Sequence, residues 1–310
     1  MSINRAWQAI QEAKKIILLT HQKPDADGIS SCTALDHVLR GMGKVVQTIY
    51  PSPDESSLRR QPLDVRIASH TIDPDLLIAC DTANYERLYF PEGFRQIPLI
   101  NIDHHISNAL KGIANIVNPE SASTCEELFH LLMTWCPERV DAYVAECLLF
   151  GILYDTQVFH TQNTTVRSLT TAAACIEHGV NMFALSRELL AQQSPRFLPF
   201  WGEMLQKVGM DEQKQVLWLT VTQDELKARG LDMSALVGLN NFIAEASPIE
   251  TTITLYESEQ GNTKVSLRSK TRDVNKIAGL FGGGGHVRAA GALIKKPVHE
   301  AVKDLLAVID

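Results

Sequence analysis

Seven residues stand out for the chemistry their types and spacing could support: His21, Asp25, Asp27, Asp81, Asp103, His104 and His105. Carboxylates gathered at one place repel one another and destabilise a fold unless a cation neutralises them. Mixed carboxylate and imidazole donors suit Mn²⁺ or a similar divalent ion, whereas a structural zinc site would draw on thiolates. The six cysteines (Cys32, Cys80, Cys125, Cys136, Cys147 and Cys175) form no CxxC pair. They read as small buried hydrophobes in a reducing compartment. The expected chemistry is metal-assisted, provided the fold brings the three groups together.

Each group directly follows an apolar run of strand length. Residues 16–20 (IILLT) precede His21, residues 76–80 (LLIAC) precede Asp81, and residues 97–102 (IPLINI) precede Asp103. Helical periodicity over 4–15, 30–40, 125–135, 142–153, 169–178 and 182–192 alternates with these strands and with 45–50. Such alternation predicts parallel pairing through right-handed crossovers, hence an α/β fold with a doubly wound, mainly parallel sheet. The carboxyl ends of its strands form the ligand-binding edge, so three strands would deliver Asp or His to one rim. Residues 193–215 carry Pro195 and Pro199 and read as a helical connector between a domain at 1–192 and a smaller α/β domain at 216–310. The second domain should contain a hairpin of 250–258 with 264–269, a helix at 274–280 and a strand at 289–294.

That second domain gathers positive charge. Lys264, Arg268, Lys270, Arg272, Lys276 and Arg288 face only one acid, Asp273, over residues 264–288. The stretch includes GGGG at 282–285 and then His286. Consecutive glycines let backbone N–H groups approach an anion, and basic side chains add charge-assisted bonds to phosphate. Arg268, Lys270, Gly283, Gly284, Gly285, His286 and Arg288 are therefore candidate substrate-binding residues. Aromatic residues are only 6% of the chain, and none forms a stacking stripe in this segment. A short substrate is expected rather than a long strand. The net charge of −7 over 310 residues likewise argues against tracking a long polynucleotide, which needs many basic contacts. The N-terminal residues lack the apolar core of a signal peptide and no stretch is long enough to span a bilayer, so a cytoplasmic protein without membrane contact is expected.

HQKPDADG at 21–28, the Asp81 of ACDTAN, IDHH at 102–105 and the Asp155 of GILYDT together resemble the four motifs of the DHH phosphoesterase superfamily. The segment LRSKTRDVNKIAGLFGGGGHVRAAG is similar to its accessory DHHA1 domain. Length and domain pairing most resemble the bifunctional oligoribonuclease/pAp phosphatases (nanoRNases of the NrnA type). The resemblance implies an active site in the cleft between two domains, with two divalent metal ions, Mn²⁺ foremost and Mg²⁺ or Co²⁺ as alternatives. It implies that His21 and Asp25 hold one ion, that Asp27 and His104 hold the other, and that Asp81 and Asp155 ligate or bridge the pair. His105 is then left to bind the scissile phosphate or protonate the leaving oxygen, and Asp103 to fix an imidazole tautomer. The implied substrates are very short RNA and 3′-phosphoadenosine 5′-phosphate, and a homodimer is compatible with the family. Gln157 and His160 depart from the DTG-x-F and following basic residue of the family pattern, which bears on substrate preference. Rival readings are a cyclic- or linear-dinucleotide phosphodiesterase, a RecJ-like single-strand exonuclease and a non-catalytic nucleotide-binding module.

Overall fold

The computed structural model describes residues 2–52, 61–190, 195–236, 238–258 and 260–309. The chain divides into two compact units, Met1–Ala191 and Gln192–Asp310. In the first, β1 (Lys15–Leu19), β2 (Val45–Tyr50), β3 (Val65–Ile67), β4 (Leu76–Cys80), β5 (Leu99–Asp103) and β6 (Ala114–Val117) form one sheet in the order β3-β2-β1-β4-β5-β6. Every pairing is parallel. The central strands are buried on both faces and mostly apolar, as a sheet covered on both sides requires.

One face is packed by α1 (Ser2–Glu12), α2 (Ala26–Gly41), α3 (Thr124–Trp135), α4 (Ala142–Asp155), α5 (Val166–Glu177) and α6 (Met182–Leu190), all of which share a core with Ile16, Leu18, Ile78 and Ile100. The other face differs from a fully helical cover. Ile17, Leu19, Leu77 and Leu99 are buried there beneath Leu88, Phe94 and Leu110. The β4–β5 connection carries Pro91, Gly93 and Pro98 and forms only the 3₁₀ turns Tyr85–Arg87 and Glu92–Gln96. Proline removes the donor and the freedom that a longer helix would need. The strand order reverses between β1 and β4, and a crevice opens at the carboxyl ends of strands at such a point.

The second unit is a mixed sheet of β7 (Gly209–Asp211), β8 (Val216–Val221), β9 (Thr251–Glu257), β10 (Thr263–Ser269), β11 (Gly284–His286) and β12 (Ala289–Ile294), ordered β11-β12-β10-β9-β8-β7. Its helices are α7 (Leu198–Leu205), α8 (Gln223–Lys227), α9 (Leu239–Ala246), α10 (Val274–Leu280) and α11 (Val298–Ala307). The expected hairpin is present as antiparallel β9 and β10. The expected connector at 193–215 is largely absorbed into this unit. Phe200, Trp201 and Met204 of α7 share a core with Leu217, Leu219 and Leu239, and β7 pairs with β8. An apolar helix face of this kind needs a partner, and the nearest sheet supplies it. The expected boundary at 192 lies outside the described residues. Among the described residues, no helix is long and apolar enough to cross a membrane.

Candidate active site

His21 leaves the end of β1, Asp81 the end of β4, and His104 and His105 the end of β5, where Asp103 is the last strand residue. Asp25 caps α2, accepting the backbone N–H groups of Asp27 and Gly28, and Asp27 lies in the first helical turn. Carboxylates are favoured at a helix N-terminus by its partial positive charge. His21 Nε2 stands 3.7 Å from Asp25 Oδ1 and 3.5 Å from Asp81 Oδ2. His104 Nε2 stands 3.7 Å from Asp81 Oδ1 and 3.4 Å from Asp155 Oδ2. Ligand atoms within 4.8 Å of one another form the groups His21–Asp25–Asp81, Asp27–His104–Asp155 and Asp81–His104–His105. All six expected ligands thus converge, and Asp81 lies between them. Asp155, which the sequence places at the end of a helical pattern, is the last residue of α4, a helix packed along α2.

The electrostatics fit cations. Burial, with the charge of Asp81, pushes Asp27 up to about 7, and burial with Asp27 and Asp81 pushes Asp155 well above the usual carboxylate range. Burial disfavours the imidazolium of His21, but Asp25 and Asp81 outweigh it and raise the pKa to about 10. Four carboxylates and two imidazoles match the preference of hard divalent ions such as Mn²⁺ or Mg²⁺. Thiolate does not compete here: all six cysteines are free and buried, and burial with the charge of Asp27 pushes the Cys125 thiol well up.

His105 behaves differently from its neighbour. Its Nδ1 donates to Asp103 Oδ1 at 2.7 Å, so the nitrogen facing Asp81 at 3.6 Å is already engaged. Asp103 is fully buried and also accepts from the Asn108 amide and from the backbone N–H of His104. Burial opposes its ionisation, but the bonds from His105 and Asn108 outweigh it and lower the pKa. The bond to Asp103 in turn raises His105 despite burial.

Several residues with no sequence-based assignment complete the site. The backbone N–H groups of Thr124 and Cys125, at the start of α3, donate to Asp27 Oδ2 and Oδ1 at 2.7 and 2.9 Å. Thr124 Oγ1 donates to Asp81 Oδ1 at 3.3 Å. Arg87 Nη2 lies 3.0 Å from His21 Nδ1, which also meets the Gln22 carbonyl at 2.7 Å, so Nε2 is the nitrogen turned to the carboxylates. Gly28 has no room for a side chain: a Cβ there would stand 2.5 Å from Thr20 Oγ1 and 3.2 Å from Asp81 Oδ2. The pattern STCE at 123–126 is a helix-start signal, and Ser123 does cap Glu126. It could have announced an anion-binding helix end, though not which anion. Asp81 itself has φ of 55°, a left-handed conformation that Asp tolerates better than most residues. Gln157, Val158 and Phe159 are also left-handed, with φ of 46°, 59° and 65°. The turn that follows Asp155 is therefore built without the glycine of the family pattern.

In the second unit Arg268, Lys270 and Arg288 sit on neighbouring strand ends. The register aligns positions 286, 289 and 268 in one row across β11, β12 and β10. Arg268 donates to Asn241 Oδ1 at 3.0 Å, Lys270 to the Ser247 carbonyl at 2.8 Å and Arg288 to the Arg272 carbonyl at 3.0 Å. The side chain of His286 lies outside the described residues. The glycines differ from the expected open cradle. Gly284–His286 is a strand paired to β12, and the N–H groups of Gly282, Gly283 and Gly285 donate to Gly279 O, Ala278 O and Asn275 Oδ1. A Cβ on Gly283 or Gly285 would stand 2.1 Å from Gly291 O or 2.5 Å from Ala289 O, so close strand approach explains these glycines. Basic side chains, rather than these three amides, are the groups left for an anion.

The DHH family, N-terminal domain, matches residues 15–152, and the DHHA1 domain matches residues 213–310. A Thermus thermophilus protein named bifunctional oligoribonuclease and PAP phosphatase is 33% identical over 290 residues, 90% of this chain and 84% of that protein. The protein of that name from Bacillus subtilis is 28% identical, with 90% and 89% covered. Among solved structures, an exopolyphosphatase-related protein from Bacteroides fragilis has a TM-score of 0.85 at 22% identity, covering 99% of this chain and 94% of that one. That likeness bears on fold alone. With both domains matched in order and a third of the residues shared along most of a relative, the chain belongs to the DHH phosphoesterase family.

Proposed function

We propose that this phosphoesterase hydrolyses very short oligoribonucleotides to mononucleotides and removes a phosphate from 3′-phosphoadenosine 5′-phosphate, with two divalent ions, Mn²⁺ foremost. The observation that carries the reading is the convergence of two ligand groups, His21–Asp25–Asp81 and Asp27–His104–Asp155, at one strand edge. The names of the relatives from Thermus thermophilus and Bacillus subtilis support the substrate class. His21, Asp25, Asp27, Asp81, His104 and Asp155 would hold the ions, which when bound activate water and neutralise phosphoryl charge. Asp103 holds Nδ1 of His105 and so presents Nε2. With its pKa raised by that carboxylate, His105 is suited to bind the phosphate or to donate a proton to the leaving oxygen. Arg268, Lys270, His286 and Arg288 would bind a phosphate of the substrate.

The test is a turnover panel with a 5′-phosphorylated diribonucleotide, longer RNA, single-stranded DNA, 3′-phosphoadenosine 5′-phosphate, a cyclic dinucleotide and pyrophosphate. Activity on the first and fourth that is lost to a chelator and restored by Mn²⁺ is expected; equal rates on long strands, or activity indifferent to the chelator, would overturn the proposal. Arg268→Ala should separate binding from chemistry. A bond to a charged group is worth about 1.5–3 kcal/mol, so KM should rise ~10- to 100-fold while kcat changes little. A fall in kcat at constant KM would move Arg268 out of the binding role.

A further inference from the structure

The loop between β6 and α3 is held by a charged cluster that the metal ligands and catalytic groups leave out. Arg167, in the first turn of α5, donates from Nη1 to Ser121 Oγ and from Nη2 to Glu127 Oε2 at 2.8 Å. Glu127 Oε2 also accepts from Ser121 Oγ at 3.2 Å and from Asn118 Nδ2 at 2.9 Å. Glu126, fully buried beside it, accepts the backbone N–H of Ala122 and places Oε1 3.6 Å from Arg167 Nε. Burial opposes the charge on Glu127, but Asn118 and Arg167 outweigh it. Two adjacent buried carboxylates around one guanidinium are an expensive way to fix a loop, and buried charges are kept only when paired. What the loop touches gives the reason: the carbonyl of Ser121 lies 3.3 Å from Nδ1 of His104.

That carbonyl has no proton, so Nδ1 carries the hydrogen of this contact, and in the neutral ring the lone pair is then on Nε2, the nitrogen that faces Asp81 and Asp155. We propose that Arg167 is a positioning residue for His104: clamped to Ser121 and Glu127, it fixes the Ser121 carbonyl that sets the imidazole's tautomer and aim. This rests on His104 being a metal ligand. Partners of this kind change metal affinity or activity by ~10- to 100-fold when they are lost from a bound histidine. Lysine at 167 keeps the charge but lacks the fork needed to reach Ser121 and Glu127 together.

Arg167→Ala risks unfolding, since it strands two buried carboxylates, so Arg167→Lys and Glu127→Gln are the informative variants. Three readouts apply to each: a Mn²⁺ titration by calorimetry, ring-nitrogen NMR shifts of neutral His104 in the metal-free protein, and kcat with KM. With native circular dichroism, the expected result is ~10- to 100-fold weaker Mn²⁺ binding, a mixture of His104 tautomers, and lower kcat at unchanged KM. Mn²⁺ affinity within twofold of wild type and a single Nδ1–H tautomer would overturn the proposal. So would a change in KM alone, which would make Arg167 a substrate contact. Failure of the wild-type protein to bind Mn²⁺ would instead sink the metal reading, and the tautomer signal would still decide whether the clamp sets His104.

Discussion

Asp81→Asn is expected to end turnover while leaving the first unit folded. The carboxylate stands between both ligand groups, 3.5 Å from His21 and 3.7 Å from His104. Asparagine keeps the shape and accepts the left-handed backbone at φ of 55°. It removes one of the four negative charges that would balance two divalent ions. Metal ions supply several kcal/mol to transition-state charge stabilisation, and each 1.36 kcal/mol is tenfold, so kcat should fall by ~10³-fold or more. The metal-free fold should survive, because Asp81 is itself a cause of the raised pKa values of Asp27 and Asp155. Its melting temperature should stay within ~4 °C of wild type, the equivalent of about 1 kcal/mol in a unit of this size. Mn²⁺ at a hundred times its dissociation constant should stabilise wild type by about 2.7 kcal/mol, a rise of ~5–10 °C, and Asp81→Asn far less. A variant that keeps a tenth of kcat, or the full Mn²⁺ upshift, would remove Asp81 from the metal centre.

The place of the candidate site was legible because each group follows a strand. A run such as LLIAC can only be a buried strand or a short buried helical stretch, and a polar residue after it must surface at an edge. His21, Asp81 and Asp103 could be placed in that way with no knowledge of the strand order. Asp155 could not, since nothing local says that α4 will end beside Asp27; only its motif flagged it. Contacts made by the backbone were also hidden. The N–H groups of Thr124 and Cys125 hold Asp27, and any residue type supplies an N–H. The glycines at 282–285 were ambiguous for a related reason. Glycine permits close approach to an anion or to another strand, and sequence does not distinguish the two. Gly285 meets the backbone of β12, so the second use applies. Edge strands β3 and β6 are short and only partly apolar, which left them without a periodic signal.

Gly151→Ala tests the packing that sequence could not show. The glycine lies inside α4, where alanine should gain about 1 kcal/mol of helix propensity. A Cβ there would stand 2.4 Å from Cys125 Sγ and 2.8 Å from Asp27 Oδ1. Both neighbours are fully buried, and the Asp27 carboxylate is fixed by two backbone bonds, so neither can swing aside freely. Overpacking of this kind costs ~1–3 kcal/mol and should outweigh the propensity gain. The larger effect is on chemistry: if Asp27 holds an ion as proposed, displacing it by about 1 Å can cost ~10²-fold in rate. Gly202→Ala, at an exposed helical position with nothing within 4 Å, is the control and should stabilise. Adding Cys125→Ala to Gly151→Ala removes the sulfur clash but leaves the clash with Asp27. Melting temperature should then recover while kcat stays low. Recovery of both would place the damage in the spacing of α3 and α4, and full activity in the single variant would show that Asp27 tolerates the shift.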